Sequence, residues 1–453
     1  MKPKKSPNLN RQQALFHVRL DDLVDMTHPL AALAGQIDWQ SIESKLSEPF
    51  HEEKGAPAKP VRLMAGLQYL KHIHNLSDET LLKRWVENPY WQYFCGSLFF
   101  EYEAPINPTS MTKWRNLHGD NLEILLKATI DVGLATKTIT PQSLDKINID
   151  TTVQEKAITY PTDAKLYHRM REKLVKLAAR HHLKLRQSYR RVSKTALVDC
   201  GRLFHARQAK KAKRKVGKLK TYLRRVRNDI ARKIVGRATL EHDFEAFLAM
   251  ADRLLAQRKE DKKKLYSLHA PEVECISKGK AHKKYEFGNK ASFATTSREG
   301  FAVGALGLHG NPFDGHTLKG QLEQTARLIG LKAAELTCAV FVDLGYRGHG
   351  YKGPAAIHIC GRGVKREEAD KRLRKWRRRR AAIEPMIGHM KNDGRLGRNW
   401  LKGEQGDRTN VILSACGQNL RLVLARLAFL CHLFLAFARR FCGNIRPDIR
   451  LAA

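Results

Sequence analysis

The chain has 453 residues, with 83 Lys and Arg against 45 Asp and Glu, which gives a net charge of +38 and a pI near 10.1. Its length and 42% hydrophobic content exclude a short packaging protein or a disordered basic tail, and indicate about two to four folded domains. A charge of this size and sign predicts a polyanionic partner, of which nucleic acid is the main candidate.

Residues 1–58 are predicted to be a basic tail and linker, which ends in the Gly- and Pro-rich segment EEKGAPAKP. The N-terminus carries charge but no apolar stretch, so no secretory signal is predicted. The eight cysteines form no CxxC pair, which argues against structural zinc and fits reduced thiols. We therefore expect a cytoplasmic protein without a membrane partner.

Residues 59–138 are predicted to form an all-helical domain, because leucines recur there at helical spacing. Ser77 is expected to cap a helix that ends at Pro89, and Thr109 or Ser110 to cap another. An aromatic cluster is interpreted as the core of this domain instead of a surface for stacking bases. Its members are Trp85, Tyr90, Trp91, Tyr93 and Phe94.

Residues 161–265 are predicted to be a basic helical insertion. Between positions 165 and 233 there are 25 Lys and Arg, against only Glu172, Asp199 and Asp229. Regular leucines and the absence of proline predict long helices with an apolar stripe. The excess charge favours contact with phosphates, and a solvated helical surface is the alternative interpretation.

Short apolar runs on both sides of this insertion predict strands, in residues 139–160 and 266–410. Their order with the helices predicts an α/β fold, a mixed sheet flanked by helices. Residues 411–453 are predicted to be a buried C-terminal helix, because charged residues interrupt what would otherwise be a membrane span. The strands are expected to end at Asp150 and to cover Lys284–Phe293, Phe301–Leu306, Cys338–Val342 and Ala355–Cys360, with a helix over His316–Leu331.

Three acidic residues are the candidate catalytic and metal-binding groups. Asp150 and Asp343 follow apolar strand-like runs, and Glu384 lies on an Arg-rich helix. Carboxylates in such places are costly unless a cation compensates them. Together they could hold two Mg²⁺ ions, or Mn²⁺, for in-line displacement at phosphorus. Taken singly, each acid could instead be a turn, a cap or a surface ion pair.

The helix around Glu384 has a basic face. Arg377, Arg380 and Lys391 lie within about 40° of Glu384 at about 100° per residue, so they could contact phosphates beside the acids. Pro385 is incompatible with the interior of one continuous helix. A helix that begins near Pro385, with Glu384 close to its N-cap, is therefore the alternative.

These motifs make the chain resemble bacterial insertion-sequence transposases of the DDE class, in the group called insertion sequence family five. The family motif D-x-G-Y/F matches Asp343, Gly345 and Tyr346, and Y-x2-R-x3-E-x6-K matches Arg380, Glu384 and Lys391, with an arginine at the tyrosine position. The segment TYPTDAKLY also resembles the stretch that follows the first acid in this group.

The resemblance implies a ribonuclease H-like catalytic core, in which the three acids bind the metal ions, and a homodimer that acts on double-stranded transposon ends and target DNA. Cleavage and strand transfer would occur at terminal inverted repeats, which the N-terminal helices would read. The candidate DNA contacts are Arg377, Arg380, Lys391, Arg347, Tyr346 and Lys165. The alternatives are a non-catalytic repressor derived from a transposase and a nuclease with the same core.

Overall fold

The computed structural model describes residues 1–2, 18–52, 57–258, 260–277, 284–361 and 371–441, without the side chains of 371, 372 and 434–441. Cys442 and part of the EEKGAPAKP segment lie outside these residues. The chain divides into two compact units, of which the first comprises residues 1–154 and 290–453 and the second residues 155–289. The predicted limits of the insertion, 161 and 265, fall inside the second unit, and the predicted domain limits stay a prediction.

The first unit begins with helices. Ser77 caps α5 by accepting a hydrogen bond from the Thr80 amide, as predicted. The predicted cap at Thr109 or Ser110 is wrong, because Asn107 accepts the hydrogen bond from the Thr109 amide and Pro108 begins the helix. The helices are α1 (Leu20–Leu23), α2 (Pro29–Gln36), α3 (Trp39–Ser47), α4 (Val61–Ile73), α5 (Asp78–Glu87), α6 (Pro89–Phe94), α7 (Pro108–His118) and α8 (Glu123–Ala135).

The expectation of a tail and linker over residues 1–58 is wrong for residues 20–47, which form α1, α2 and α3. Leu33 and Ile42 from these helices are fully buried in the same core as the sheet of this unit. Short helices with two or three core positions each give a weak periodic signal, which is why the sequence pattern did not separate them from a linker.

The aromatic cluster of residues 85–94 belongs to the core, as predicted. Trp85 and Phe94 are fully buried, Trp91 is buried, and Tyr90 and Tyr93 pack against the same cluster. These rings therefore stabilise the helical region through burial of apolar area. They do not form an exposed surface on which bases could stack.

The sheet of the first unit is mixed, as predicted. Its strand order is β4-β3-β1-β5-β6, in which β1 pairs with β5 and β5 with β6 in parallel, while β3 and β4 form an antiparallel hairpin. Parallel pairing buries both faces under helices, which explains the continuous apolar runs. The strands are β1 (Lys146–Glu155), β3 (Glu286–Thr296), β4 (Ala302–Leu308), β5 (Ala339–Val342) and β6 (Ala356–Ile359).

Helices follow the strands and cover the sheet. They are α13 (Asp314–Leu328), α14 (Lys371–Arg379), α15 (Ile383–Asn392) and α16 (Gly403–Phe441). Within the part of the chain that the structure describes, α16 alone is long and apolar enough to span a membrane. Its segment Gly403–Leu433 has a mean hydropathy of 1.3, but 61% of the tested window is buried inside the protein, as expected of a core helix.

Side-chain amides hydrogen-bond the backbone of β4. Asn419 of α16 accepts from the Ala302 amide at 2.8 Å and donates to the Ala302 carbonyl at 2.8 Å. Gln324 of α13 does the same with Ala305, at 2.7 and 3.0 Å. These bonds satisfy buried backbone groups that would otherwise be costly. They fix α13 and α16 against the hairpin.

The second unit is mainly helical, as the leucine pattern predicted. Its core includes Leu174, Leu223, Ile230 and Phe244, all fully buried, while most of the cations lie on the outer faces. A short strand, which the sequence did not predict, pairs with the first residues of β3. The elements are α9 (Asp163–Arg180), α10 (Arg190–His205), α11 (Ala209–Ile234), α12 (Ala238–Ala256) and β2 (Glu274–Ile276).

A buried ion-pair network stabilises the N-terminal helices. Asp78 accepts from Lys71 at 2.7 Å and from Arg115 at 2.6 Å, and both cations are nearly inaccessible. Removal of Asp78 would leave two buried charges without their carboxylate. We therefore expect Asp78→Ala to lower the free energy of unfolding by about 3–5 kcal/mol. The exposed pair Lys127–Asp131 provides the control, and Asp131→Ala should cost less than about 1 kcal/mol.

The same network gives a pH dependence. Burial raises the pKa of Asp78, but Arg115 and Lys71 outweigh burial and lower it from 3.8 to about 2. Because the folded-state pKa is depressed, the stabilisation is present above 3.8 and is lost as the pH falls towards 2. Denaturant titrations across that range should show a smaller acid-induced loss for Asp78→Ala than for the unsubstituted protein. Equal losses would contradict this prediction.

Candidate active site

The register of two parallel strands brings Asp150 and Asp343 together. Asn148 of β1 pairs with Phe341 of β5, and each aspartate lies two residues further along its strand direction. Asp343 directly follows β5, as predicted. The prediction that the first strand ends at Asp150 is wrong, because β1 continues to Glu155 with buried side chains on both faces.

Asp343 is held by the turn that follows it. Its Oδ1 accepts from the Gly345 amide at 2.9 Å. A Cβ atom at Gly345 would lie 3.0 Å from Asp343 Oδ1 and 3.1 Å from Asp314 Oδ2, closer than nearly all real Cβ contacts. The glycine of the D-x-G-Y motif therefore leaves room for two carboxylates on either side of the turn.

Glu384 lies in the first turn of a new helix. The Arg-rich helix α14 ends at Arg379, a 3-10 turn covers Arg380–Ala382, and α15 begins at Ile383. A proline is tolerated in a first turn, where its missing N–H has no partner inside the helix. The structure therefore agrees with the alternative prediction, a helix that begins near Pro385. A continuous helix with one basic face from Arg377 to Lys391 is not observed.

One guanidinium contacts all three predicted acids. Arg380 Nη2 lies 2.9 Å from Asp150 Oδ2 and 3.5 Å from Asp343 Oδ2, and Nη1 lies 3.2 Å from Glu384 Oε1. The two aspartate oxygens are thus no further apart than the sum of the first two distances. Acids from three distant segments meet at one cation, which offsets the repulsion between them.

The residue before Arg380 fixes its position. Arg379 Nε donates to the Ser297 carbonyl at 3.0 Å, and its Nη2 to the Arg298 carbonyl at 2.8 Å. The Arg379 carbonyl in turn accepts from Asn148 Nδ2 at 3.1 Å. These bonds attach the 3-10 turn to β1 and to the β3–β4 turn, so the Arg380 side chain reaches the acids from a constrained backbone.

A fourth acid, which the sequence analysis missed, lies beside this group. Asp314 Oδ1 accepts from Thr151 Oγ1 at 2.8 Å and from Lys290 Nζ at 2.9 Å. Lys290 also donates to the Pro312 carbonyl at 2.6 Å. Asp314 thereby ties β1, next to Asp150, to β3. In the sequence it resembles an ordinary acidic residue in the first turn of a helix, so only its place after the hairpin could have indicated this role.

Tyr346 is fully buried, which corrects its assignment as a DNA contact. The side chain of this motif position packs into the core beneath the turn, where no strand of DNA could reach it. Burial, followed by the nearby carboxylates of Asp150, Asp314 and Asp343, raises its pKa well above 10. The phenol therefore stays neutral and borders the acidic group from the protein side.

The other predicted DNA contacts occupy different environments. Arg347 is exposed directly after the Asp343 turn, and Lys391 is half-buried on α15. Arg377 is half-buried near His358, whose pKa is lowered by burial and by that arginine. Lys165 belongs to α9 of the second unit. Their contact with DNA remains a prediction.

The donor set is chemically suited to a hard divalent cation, since carboxylate oxygens are the ligands that Mg²⁺ and Mn²⁺ prefer. Among the described residues, however, no group of three or more His, Cys, Asp or Glu is arranged to hold a metal ion. The position between the acids is taken by the guanidinium of Arg380. The acids converge on a cation, and here that cation is a side chain.

Comparison with known proteins agrees with this geometry. Residues 18–117 match the family described as Transposase domain (DUF772), and residues 262–420 match the family described as Transposase DDE domain. A protein from Rhizobium meliloti, described as uncharacterized protein ORF8 in nfe locus, is 49% identical over 195 residues, 43% of this chain and 94% of the relative. No solved structure matches significantly.

The mixed sheet, the converging acids and both family matches define the class as a transposase, an enzyme of the nuclease and transferase type. Asp343 and Glu384 lie within the matched DDE domain, and Asp150 precedes it. The chain belongs to the DDE transposases of insertion sequences. Its function is DNA transposition, and neither the repressor nor the simple nuclease is favoured.

Loss of the shared cation should destabilise the site. We expect Arg380→Ala to lower the free energy of unfolding by about 1–3 kcal/mol at neutral pH, because three neighbouring carboxylates lose their charge partner. Arg378→Ala is the control, since Arg378 is exposed at the end of the preceding helix α14. Chemical denaturation of both variants gives the comparison, and equal stabilities would contradict the bridging role.

Asp314 can be tested in the same way. Asp314→Ala removes the carboxylate partner of the buried Lys290 ammonium, and we expect a loss of about 3–5 kcal/mol. Asp314→Asn keeps an oxygen that can accept from Thr151, so its loss should be smaller. If the asparagine and alanine variants unfold at the same denaturant concentration, the hydrogen bonds from Thr151 and Lys290 to this oxygen contribute nothing measurable apart from the charge.

Proposed function

We propose that Asp150, Asp343 and Glu384 are the catalytic carboxylates of a phosphoryl-transfer site that cuts and joins DNA at the ends of an insertion sequence. The observation that carries this proposal is the convergence of all three acids on the guanidinium of Arg380. The three acids come from segments that are far apart in the sequence. Such a convergence of acids, of which Asp150 and Asp343 are half-buried, is costly and is typical of an active site.

DDE transposases use divalent metal ions. We propose Mg²⁺, with Mn²⁺ as a substitute, and two ions held by Asp150, Asp343 and Glu384. When bound, such ions polarise the phosphate and stabilise the attacking and leaving oxygens. The side chain of Glu384 is 63% exposed and that of Asp343 is 36% exposed, so both can turn towards a ligand in the open part of the site.

Arg380 is proposed to have two partners. Its planar fork binds the carboxylates here, and the same five donors suit the oxygens of a phosphate. With its carboxylate partners occupied by a divalent ion, Arg380 would be able to contact the DNA strand next to the scissile bond. Arg347, exposed on the adjoining turn, and Arg377 and Lys391 on the flanking helices are proposed as further backbone contacts.

Several finer features rest on the family and belong to the same proposal. We infer a ribonuclease H-like core, membership of the insertion sequence family five group, and a homodimer that holds two transposon ends and target DNA. The helices of residues 59–138 are proposed to read the terminal inverted repeats. A cytoplasmic, nucleoid-associated location follows from action on chromosomal DNA.

Asp343→Asn tests the catalytic assignment. The amide keeps the size of the side chain and loses the charge that a divalent cation requires, so cleavage of a duplex carrying the element's ends should fall by at least about a thousandfold. DNA binding, measured by gel shift, should persist. Asp393→Asn is the matched control. Asp393 is an exposed acid that follows α15 and pairs with His389 of that helix.

Full cleavage by Asp343→Asn with Mg²⁺ would overturn the assignment of this site. A separate strand-transfer assay with pre-cut ends distinguishes a transposase from a nuclease, since only a transposase joins a free 3′-hydroxyl to target DNA. Products of strand transfer should form with the unsubstituted protein and with Asp393→Asn.

A further inference from the structure

A basic cavity lies on helix α9 of the second unit and includes Lys165, one of the predicted DNA contacts. Its volume is about 180 Å³, enough for several water molecules at about 30 Å³ each or for one phosphate group. The other walls are formed by Ile158, Thr159 and Pro161 of one loop and by the residues from Tyr266 to His269 of another. The cavity belongs to the segment TYPTDAKLY, which the sequence analysis singled out.

Four cations of α9 line this cavity. They recur at helical spacing and lie within an arc of about 80°, at about 100° per residue. The one carboxylate in the lining, Glu172, lies 3.5 Å from Arg171 Nη2, so a cation outside the four already shares its charge. The four are Lys165, Arg169, Lys173 and Lys176.

Hydrogen bonds to uncharged groups orient these cations. Lys165 Nζ donates to the Tyr160 carbonyl at 3.2 Å, and Arg169 Nη1 donates to Thr159 Oγ1 at 2.9 Å. Bonds of this kind fix the side chains without neutralising their charge. A preorganised cluster of positive charge is a site for an anion, because little side-chain entropy is lost when the anion binds.

The rim of the cavity offers an aromatic surface. Tyr160 is 61% exposed, and its ring packs edge-on against Phe287 at 5.3 Å. Tyr266, in the wall, packs against the same Phe287 at 5.4 Å. Exposed aromatic rings beside a groove of cations are the combination that binds the bases and phosphates of nucleic acid strands.

We propose that this α9 pocket binds a backbone phosphate of DNA. The inference rests on the proposed action on DNA and adds a specific contact of the second unit. The pocket differs from the general charge of residues 165–233, because its cations converge on one cavity instead of facing solvent separately.

The test compares two triple variants in full-length protein that carries Asp343→Asn, so that cleavage does not alter the DNA. The pocket variant is Lys165→Gln, Arg169→Gln and Lys176→Gln. The control variant is Arg191→Gln, Lys194→Gln and Lys210→Gln, which removes the same charge from exposed positions outside the cavity. Thermal unfolding of both verifies that each is folded.

The pocket variant should weaken binding to a short duplex about tenfold more than the control variant at physiological salt. The slope of log affinity against log salt should fall in magnitude by about 1, as expected for the loss of one phosphate contact. Equal effects of the two triples would overturn the proposal, because general charge would then account for the affinity.

Inorganic phosphate separates the two sources of the anion. It should compete with DNA for the parent protein and have a smaller effect on the pocket variant. If phosphate raises the unfolding temperature of the parent but the two triples bind DNA equally, the pocket holds free phosphate and the DNA assignment fails. These experiments measure binding alone. Failure of the catalytic proposal would be seen separately, as the absence of cleavage by the unsubstituted protein.

Discussion

The contact of one arginine with three carboxylates is the constraint on which the site depends. Asp150, Asp343 and Glu384 would repel each other at this separation, and Arg380 compensates them. The position of Arg380 depends in turn on the break between α14 and α15, because only the 3-10 turn directs its side chain to the strands. The break between the helices, the register of the strands and the compensation of the three charges therefore depend on one another.

Much of this arrangement follows from the sequence. Apolar runs located the strands and placed Asp150 and Asp343 on neighbouring ones, although β1 continues past Asp150 to Glu155. Pro385 indicated a helix start, because a proline is tolerated in the first turn and not in the interior. These features have local causes, and the residues that produce them are neighbours in the chain.

The features that the sequence did not predict have non-local causes. Asp314 looks like a first-turn residue of α13, and its role depends on Thr151 and Lys290, which come from other strands. Tyr346 belongs to the D-x-G-Y motif, which suggested a functional role, yet tertiary packing buries its side chain. The core positions in residues 20–47 are too few per helix to produce a period, so only the shared core identifies them.

The amides of Asn419 and Gln324 have a further consequence for assembly. An open strand with free N–H and C=O groups is a template on which a second polypeptide can extend the sheet. At Ala302 and Ala305 those groups are already saturated by side chains from two helices. A second polypeptide could not pair with β4 at these positions without breaking four hydrogen bonds, so this stretch of the sheet edge is closed to strand addition.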